Sequence, residues 1–319
     1  DWRKLVGSVD GKLAGDQTSS WCVPCGDYML EVGTLLTVEG GRPLTFGPGS
    51  FVTLSLLARP DQVLVHTTNV STQSAVHHPF SLRCADQGVA VTRAYFAENR
   101  ARTGGGLGMH KHRKNSLFQI TASTFTNNTA TGSGGAAYAS GVNSGLRFTD
   151  GCIFEHNRAG VSGGALAVED QAGLRIRDAI ASGNHQAASE GGFLSARFAS
   201  PILFQNVSLV DAAAISGGGG ALAVYASKIA LGGVHIKSCR ANSGGGAVLL
   251  DEGAECHLLG GCALADNAAA QGGHINLSAS KLMVHGQDSQ LTWPESTPVF
   301  PNAVPIGAAA GIHRHNTFF

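Results

Sequence analysis

The sequence predicts an all-β fold, a right-handed parallel β-helix of about seven to eight regular coils with three strands per coil. Three observations predict it: glycine pairs that recur every 26 to 29 residues, an F-x-x-N segment before most pairs, and short alternating apolar runs between them. A period in this range is typical of solenoids, in which each coil buries its apolar face only against its neighbours. The right hand is expected because parallel crossovers are right-handed in about 98% of cases.

The repeat is defined by glycine, asparagine and a bulky apolar residue. We place the glycine pairs at Gly105, Gly134, Gly163, Gly191, Gly219, Gly245 and Gly272. The preceding asparagines are Asn99, Asn128, Asn157, Asn184, Asn242 and Asn267, and the bulky residues three positions earlier include Phe96, Phe125, Phe154, Cys239 and Leu264. Stacked in register, the phenylalanines predict an internal aromatic ladder, and the asparagines predict side chains that hydrogen-bond the next coil.

The strand after each glycine pair alternates with period two. We expect Leu166 and Val168, with their equivalents in later coils, to point inward. The outward positions are then unusually apolar, which predicts a contact face made of Leu107, Met109, Ala136, Tyr138, Ala165, Ala167, Phe193, Ala221, Ala223, Ala247 and Leu249. An exposed apolar patch of this kind usually marks a contact, either with another chain or with the chain's own terminal segments.

The period sets the domain organisation. We expect residues 1–80 to form an N-terminal cap or irregular first coils, residues 81–292 the β-helix repeats, and residues 293–319 a proline-rich extended tail. The chain begins at Asp1, from which we expect a processed chain or an excised segment.

Composition excludes some partners. The 22 Lys+Arg balance 22 Asp+Glu, and charged residues make up only 14% of the chain. This balance gives no electrostatic footprint for nucleic acid, and no apolar run is long enough to predict a membrane span.

The repeat resembles that of the polymorphic outer membrane proteins, GG[ALIV] with F-x-x-N, in the pectin-lyase-like parallel β-helix family. The motif is carried by residues 96–106 (FAENRARTGGG), 125–135 (FTNNTATGSGG) and 154–164 (FEHNRAGVSGG), and the resemblance covers about residues 81–286. It implies an extracellular or cell-surface role in adhesion, usually without catalysis.

The seven cysteines leave several readings open. Cys22 and Cys25, in Trp21-Cys22-Val23-Pro24-Cys25, are similar to the thioredoxin-like W-C-x-P-C motif. No βαβ pattern surrounds them, so we expect a structural disulfide loop rather than redox catalysis. Cys239 and Cys262 lie on adjacent coils and form a second candidate bridge.

Other candidate sites are sequons and histidines. The sequons begin at Asn69, Asn127, Asn206 and Asn276, and Asn276 is expected to point outward and to be open to a glycan. The H-x-H pairs at His110/His112 and His313/His315 lack a third ligand at suitable spacing. We therefore expect solvated histidines, no metal and no cofactor.

A carbohydrate-active enzyme on this fold would need clustered carboxylates and a basic residue. The in-register outward column holds Lys111, Ser140, Glu169, Arg197, Tyr225, Asp251 and Ser278. Its simplest interpretation is a surface ion pair between Glu169 and Arg197.

The sequence therefore favours a non-catalytic structural or adhesive module of the cell surface, whose partners are other chains, copies of itself or glycans. A carbohydrate-active enzyme or carbohydrate-binding module is the alternative. A redox protein acting through Cys22 and Cys25 is a third hypothesis.

Overall fold

The computed structural model of the chain describes residues 94–285 apart from 111–115, 143, 187–188 and 200, and beyond this range only the strands named below. Every strand pairing in it is parallel, and the strands stack as a β-solenoid. Within the described residues no segment is helical, so the predicted all-β parallel architecture is confirmed. The right hand of the coil stays a prediction.

The strands form three sheets. The Gly-Gly sheet is named for the glycine pairs that precede its seven strands from Leu107–His110 to Ile275–Leu277. It consists of Trp21–Val23, Leu44–Phe46, Phe80–Leu82, Leu107–His110, Ala137–Ser140, Leu166–Glu169, Leu194–Arg197, Leu222–Tyr225, Val248–Asp251, Ile275–Leu277 and Ala310–Ile312. The long sheet consists of Lys12–Leu13, Gly26–Leu30, Leu35–Val38, Phe51–Leu56, Val63–Thr67, Gly88–Thr92, Ala94–Ala97, Ser116–Thr121, Thr124–Thr126, Ser144–Thr149, Ile153–Glu155, Gly173–Ser182, Ile202–Val210, Lys228–Gly232, His235–Lys237, Glu255–Leu259, Ala263–Ala265, Lys281–Val284 and Thr317–Phe318. The short sheet consists of Arg100–Ala101, Thr129–Ala130, Arg158–Ala159, His185–Gln186, Ala213–Ala214 and Arg240–Ala241.

One coil runs through four strands rather than the predicted three. Ala137–Ser140 is followed by two arms of the long sheet, Ser144–Thr149 and Ile153–Glu155, and then by Arg158–Ala159. The fourth strand has only two residues, too few to show an alternating pattern in the sequence. Six pairings join the seven Gly-Gly strands from Leu107–His110 to Ile275–Leu277, so the described part holds about six turns.

Residues with positive φ form the corners. The residue before the asparagine position has φ of 53–57° at Glu98, Asn127, His156, Asp211, Ser238 and Asp266. The first glycine of each pair has φ of 57–72° at Gly104, Gly134, Gly163, Gly191, Gly219, Gly245 and Gly272. In the first coil the corner is therefore Gly104, one residue before the Gly105 predicted from the Gly104-Gly105-Gly106 run.

That one-residue shift exchanges the inward and outward faces predicted for the strand Leu107–His110. Leu107 is the register partner of Ala137, which in turn pairs with the inward-facing Leu166. Because side chains alternate between faces along a strand, Leu107 and Met109 point into the core and not outward. Both are fully buried.

The predicted aromatic ladder is confirmed. The Phe96 and Phe125 rings stack with centroids 4.4 Å apart, and the Phe125 and Phe154 rings with centroids 5.3 Å apart. All three side chains are 0% exposed.

A ladder of asparagines runs beside the aromatic one. Asn99, Asn128, Asn157 and Asn184 are fully buried, and each amide oxygen from Asn128 onward accepts from both the backbone N–H and the side-chain amide of the asparagine before it. The sixth coil differs from the prediction. There the ladder position is Cys239, whose N–H donates to Asn267 Oδ1 at 2.9 Å, while Asn242 is an exposed turn residue.

The division into cap, repeats and tail stays a prediction, because most of residues 1–80 and 293–319 lie outside the described residues. In the part of the chain that the structure describes, no helix is long and apolar enough to cross a membrane.

Candidate interaction surface

The outer side of the Gly-Gly sheet is the candidate functional surface. Its first outward column, by register, is Tyr138, Ala167, Ser195, Ala223, Leu249 and Asn276. Its second outward column, two residues along each strand, begins at Ser140 and continues as Glu169, Arg197, Tyr225 and Asp251. Because Ser140 pairs with His110, the first-coil member of this column is His110 and not Lys111 as predicted.

Only part of the predicted contact face lies on this side. The structure places the remaining predicted members in the hydrophobic core: Leu107, Met109, Ala136, Ala165, Phe193, Ala221 and Ala247. Phe193 shows this most directly, since its ring meets the edges of Phe154 and Phe204 at centroid distances of 5.5 and 6.2 Å. The residue just before each strand lies at the glycine corner, where the strict alternation assumed in the sequence does not hold.

Tyr138, Ala167, Ala223 and Leu249 do point outward. Ala167 and Ala223 are nevertheless 0% exposed and Tyr138 is 8% exposed. The outer face is therefore an inner layer of small residues beneath larger side chains, and not the open apolar strip that the sequence predicts. Whether it serves as a contact face stays a prediction.

Two hydroxyl–carboxylate pairs cover the first part of this layer. Tyr138 Oη donates to Glu169 Oε2 at 2.9 Å, and Ser140 Oγ donates to Asp170 Oδ2 at 2.8 Å. Glu169 lies one coil on and two residues along from Tyr138, so the tyrosine ring crosses the outer side of Ala167. Burial and the nearby Glu169 charge raise the pKa of Tyr138, which keeps this hydroxyl protonated.

Arg197 organises the second part. Its guanidinium lies 4.3 Å from the centroid of the Tyr225 ring, and its Nη1 lies 3.3 Å from Glu252 Oε1. Nη2 lies 4.0 Å from Glu190 Oε2. Glu169 and Arg197 are register partners as predicted, but Arg197 turns away to Glu190 and Glu252 while Glu169 accepts from Tyr138.

Five carboxylates lie along the outer side of these strands and their turns, and two of them, Glu190 and Glu252, lie within 4.0 Å of the Arg197 guanidinium. Glu169 and Asp251 end their Gly-Gly strands, Asp170 and Glu252 follow them, and Glu190 precedes the glycine corner of the Arg197 strand. We call this set, Glu169, Asp170, Glu190, Asp251 and Glu252, the acidic corner. Phe198 lies at this corner with φ of 51° and is 53% exposed. Burial raises the pKa of Tyr225, as does the adjacent Glu190 carboxylate.

The described cysteines are free thiols. Cys152, Cys239, Cys256 and Cys262 are all buried, so the predicted Cys239–Cys262 bridge is absent from the structure. Cys239 Sγ instead points at Lys237 O (3.4 Å), and Cys262 Sγ at Leu231 O (3.1 Å). Burial raises the pKa of Cys152 to about 11 and of Cys239 and Cys256 to about 12. The Cys22 and Cys25 side chains lie outside the described residues.

The sequons differ in exposure. Asn127 and Asn206 are exposed, and both have positive φ, at 53° and 52°. Asn276 is only 6% exposed and its side-chain amide is packed against Gly244, so the expectation that it is open to a glycan is wrong. Asn69 lies outside the described residues, and glycosylation itself stays a prediction.

No group of three or more His, Cys, Asp or Glu side chains suited to a metal occurs among the residues that the structure describes. The side chains of His110, His112, His313 and His315 lie outside them.

One histidine pair was not predicted from the sequence, His257 and His285, whose ring nitrogens approach to 3.0 Å. Their separation of 28 residues, equal to the repeat, was the available signal.

The comparisons with known proteins support the repeat. The family model of the Chlamydia polymorphic membrane protein repeat matches residues 122–140. This segment contains Phe125, Asn128 and the glycine corner at Gly134, so the predicted resemblance is confirmed for this coil. No curated protein and no solved structure matches the chain significantly.

Proposed function

We propose that this chain is a non-catalytic structural or adhesive module of the cell surface, a stiff β-solenoid rod that takes part in a larger assembly. The observation that carries this proposal is the coupling of successive coils by the same buried contacts. From Asn99 to Asn184 every coil is tied to the next by two hydrogen bonds to one amide oxygen. Such a stack holds the outer side chains of successive coils in fixed register.

The surface location is supported by the match of residues 122–140 to a repeat of a membrane protein family. Lys228 and Lys237, with side chains 69% and 60% exposed, allow a direct test. An amine-reactive reagent that does not cross membranes should modify both lysines on intact cells of the source organism. Modification only after lysis would contradict the surface location.

The structural role is tested by imaging the native surface by electron tomography. Rods in lateral or end contact with other chains are the expected result. Isolated monomers in contact with nothing would contradict the assembly role.

A carbohydrate-binding or carbohydrate-active role is the second candidate, favoured by exposed Phe198 beside Arg197 and the acidic corner. Exposed aromatic rings next to carboxylates suit sugar hydroxyls and C–H faces. A glycan array probed with the wild-type chain and with Phe198→Ala tests it. Signals that require Phe198 would favour this candidate, and a blank array would oppose it.

A further inference from the structure

The short sheet carries arginines without an ion-pair partner among the described residues. Its outward column contains Arg100, Arg158 and Arg240, all exposed. Within the part of the chain that the structure describes, none of the three forms a salt bridge or side-chain hydrogen bond, whereas Arg177 and Arg197 each contact two carboxylates. We call Arg158 and Arg240 the arginine column.

The acidic corner has the same spacing as the arginine column. Glu169 and Asp251 are three coils apart through the pairings to Arg197 and Tyr225. Arg158 and Arg240 are also three coils apart, through His185 and Ala213. At about 4.8 Å per coil, both separations are about 14 Å.

The two sets also lie in the same coils. Arg158 precedes Glu169 and Asp170 in one coil, and Arg240 precedes Asp251 and Glu252 in another, by 11 and 12 residues in both cases. The axial offset from arginine to carboxylates is therefore equal in both coils. Around the coil the two sets are separated by the Gly-Gly strand in one direction and by both arms of the long sheet in the other, so they face different sides of the rod.

Within the described part of the chain, the acidic corner carries more negative charge than its neighbours balance. Its five carboxylates have one described arginine, Arg197, among them. Tyr225 is 4% exposed and lies beside the Glu190 carboxylate, and its neutral hydroxyl adds no positive charge to the corner. Phe198 lies in a coil between the Glu169–Asp170 pair and the Asp251–Glu252 pair, and its side chain is 53% exposed.

We propose that copies of this chain associate side by side with their axes parallel, the arginine column of each copy against the acidic corner of the next. A single sideways shift, without rotation, brings Arg158 opposite Glu169 and Asp170 and Arg240 opposite Asp251 and Glu252. The exposed Phe198 then lies at the level of His185–Gln186, the first of the two short strands between the two arginines. Because donor and acceptor surfaces are different, the contact does not close on itself and generates an open row of rods. The proposal names the partner of the assembly role proposed above and rests on it.

The charges make the association weak for one pair of rods and sensitive to salt. Exposed ion pairs contribute little individually, and they are screened beyond about 8 Å at physiological ionic strength. A row held this way forms at the high local concentration of a surface and dissolves as salt is raised.

Charge reversal tests the proposal on the purified chain by sedimentation velocity at low salt. The double variant Arg158→Glu/Arg240→Glu, and separately Asp170→Arg/Glu252→Arg, should each weaken self-association roughly tenfold or more. Mixed in equal amounts, the two variants should associate again, because each then offers the surface that the other lacks. The wild-type chain should dissociate as salt is raised.

Arg100→Glu is the matched control. Arg100 lies in the same outward column of the short sheet but is not part of the arginine column. The residues 11 to 14 positions after it, Lys111–Lys114, contain no carboxylate. In the proposed contact Arg100 lies opposite this basic stretch of the next copy, so Arg100→Glu should associate at least as well as the wild-type chain.

Wild-type chains that stay monomeric at low salt, or variants that do not restore association when mixed, would overturn the lateral contact. Thermal unfolding of every variant verifies that the exposed substitutions leave the fold intact. Lysine modification on intact cells is independent of these results, so the surface location and the lateral contact can fail separately.

Discussion

Asn157 Oδ1 accepts two hydrogen bonds from Asn128, one from its backbone N–H at 3.1 Å and one from its side-chain amide at 3.0 Å. The side-chain amide of Asn157 donates in turn to Asn184 Oδ1 at 3.0 Å, and it also donates to the backbone oxygen of Phe125. Asn128, Asn157, Asn184 and Phe125 are all fully buried, so water cannot replace a hydrogen bond that is lost among them.

The ladder therefore makes Asn157 a stability determinant. Asn157→Ala should lower the free energy of unfolding by about 2–4 kcal/mol, because it removes the acceptor of the buried Asn128 N–H and side-chain amide. Denaturant unfolding followed by circular dichroism measures the change. Asn242→Ala, at an exposed asparagine that the sequence assigned to the same ladder, should change stability by less than about 0.5 kcal/mol. Equal effects of the two substitutions would refute the assignment.

The period of the fold could be read from the sequence, because glycine corners and bulky core residues recur visibly. The phase of individual residues was harder to obtain. In the Gly104-Gly105-Gly106 run, three identical residues give no sign of which one takes positive φ, and the wrong choice turned Leu107 and Met109 outward. In the sixth coil the sequence assigned Asn242 to the asparagine ladder, whereas the structure places Cys239 there. A cysteine at the ladder position does not match the asparagine motif.

The candidate surface was less predictable than the core. The register that places Glu169 beside Arg197 follows from the repeat, but the partners each side chain chooses do not. Tyr138 reaches Glu169 and Arg197 reaches Glu190 and Glu252 across coils and turns, through rotamers that periodicity does not specify. The two-residue short strand, and with it the arginine column, had no sequence pattern long enough to detect.

The aromatic ladder predicts a large cost for truncation at Phe125. Its ring stacks between Phe96 and Phe154 and meets the edge of Phe148 at a centroid distance of 5.7 Å. Phe125→Ala should cost about 3–5 kcal/mol, and Phe125→Leu clearly less. Phe198→Ala, at an exposed ring, provides the size-matched control in the same unfolding assay, with an expected change under about 1 kcal/mol. A similar loss in both alanine variants would show that the ring stack is not what matters.

The buried thiols predict alkaline destabilisation. The pKa values of Cys152, Cys239 and Cys256 are raised from 9.0 to about 11, 12 and 12, because burial disfavours the thiolate. The folded chain holds these protons while the unfolded chain releases them above pH 9, so the thiol contribution is fully present below that pH and is lost as pH rises toward the folded values. Stability should fall by up to about 1.4 kcal/mol per pH unit for each thiol above that point.

Urea unfolding at several pH values from about 8 to 10 measures this slope. Cys152→Ser removes one titrating group and keeps a donor to Thr149 O, so its slope should be shallower than that of the wild-type chain. An identical slope would mean that Cys152 does not titrate on unfolding. Thiol reagents at neutral pH should leave all four described cysteines unmodified until the chain is unfolded.

The second glycine of each pair predicts a steric requirement separate from backbone conformation. Gly135 does not have positive φ, yet a Cβ there would overlap the Gly164 carbonyl oxygen of the next coil and the backbone of Arg158. Both backbones are held by hydrogen bonds between coils and cannot move apart without breaking them, so Gly135→Ala should cost more than about 3 kcal/mol or prevent folding. Gly151 has the opposite combination, because its φ is 84° but no atom lies within 4 Å of the position that a Cβ would take. Gly151→Ala should therefore cost only the left-handed conformation, about 1–2 kcal/mol. Soluble yield and thermal unfolding of the two variants separate the causes, and the close stacking of coils at the glycine corner is disproved if Gly135→Ala is the milder substitution.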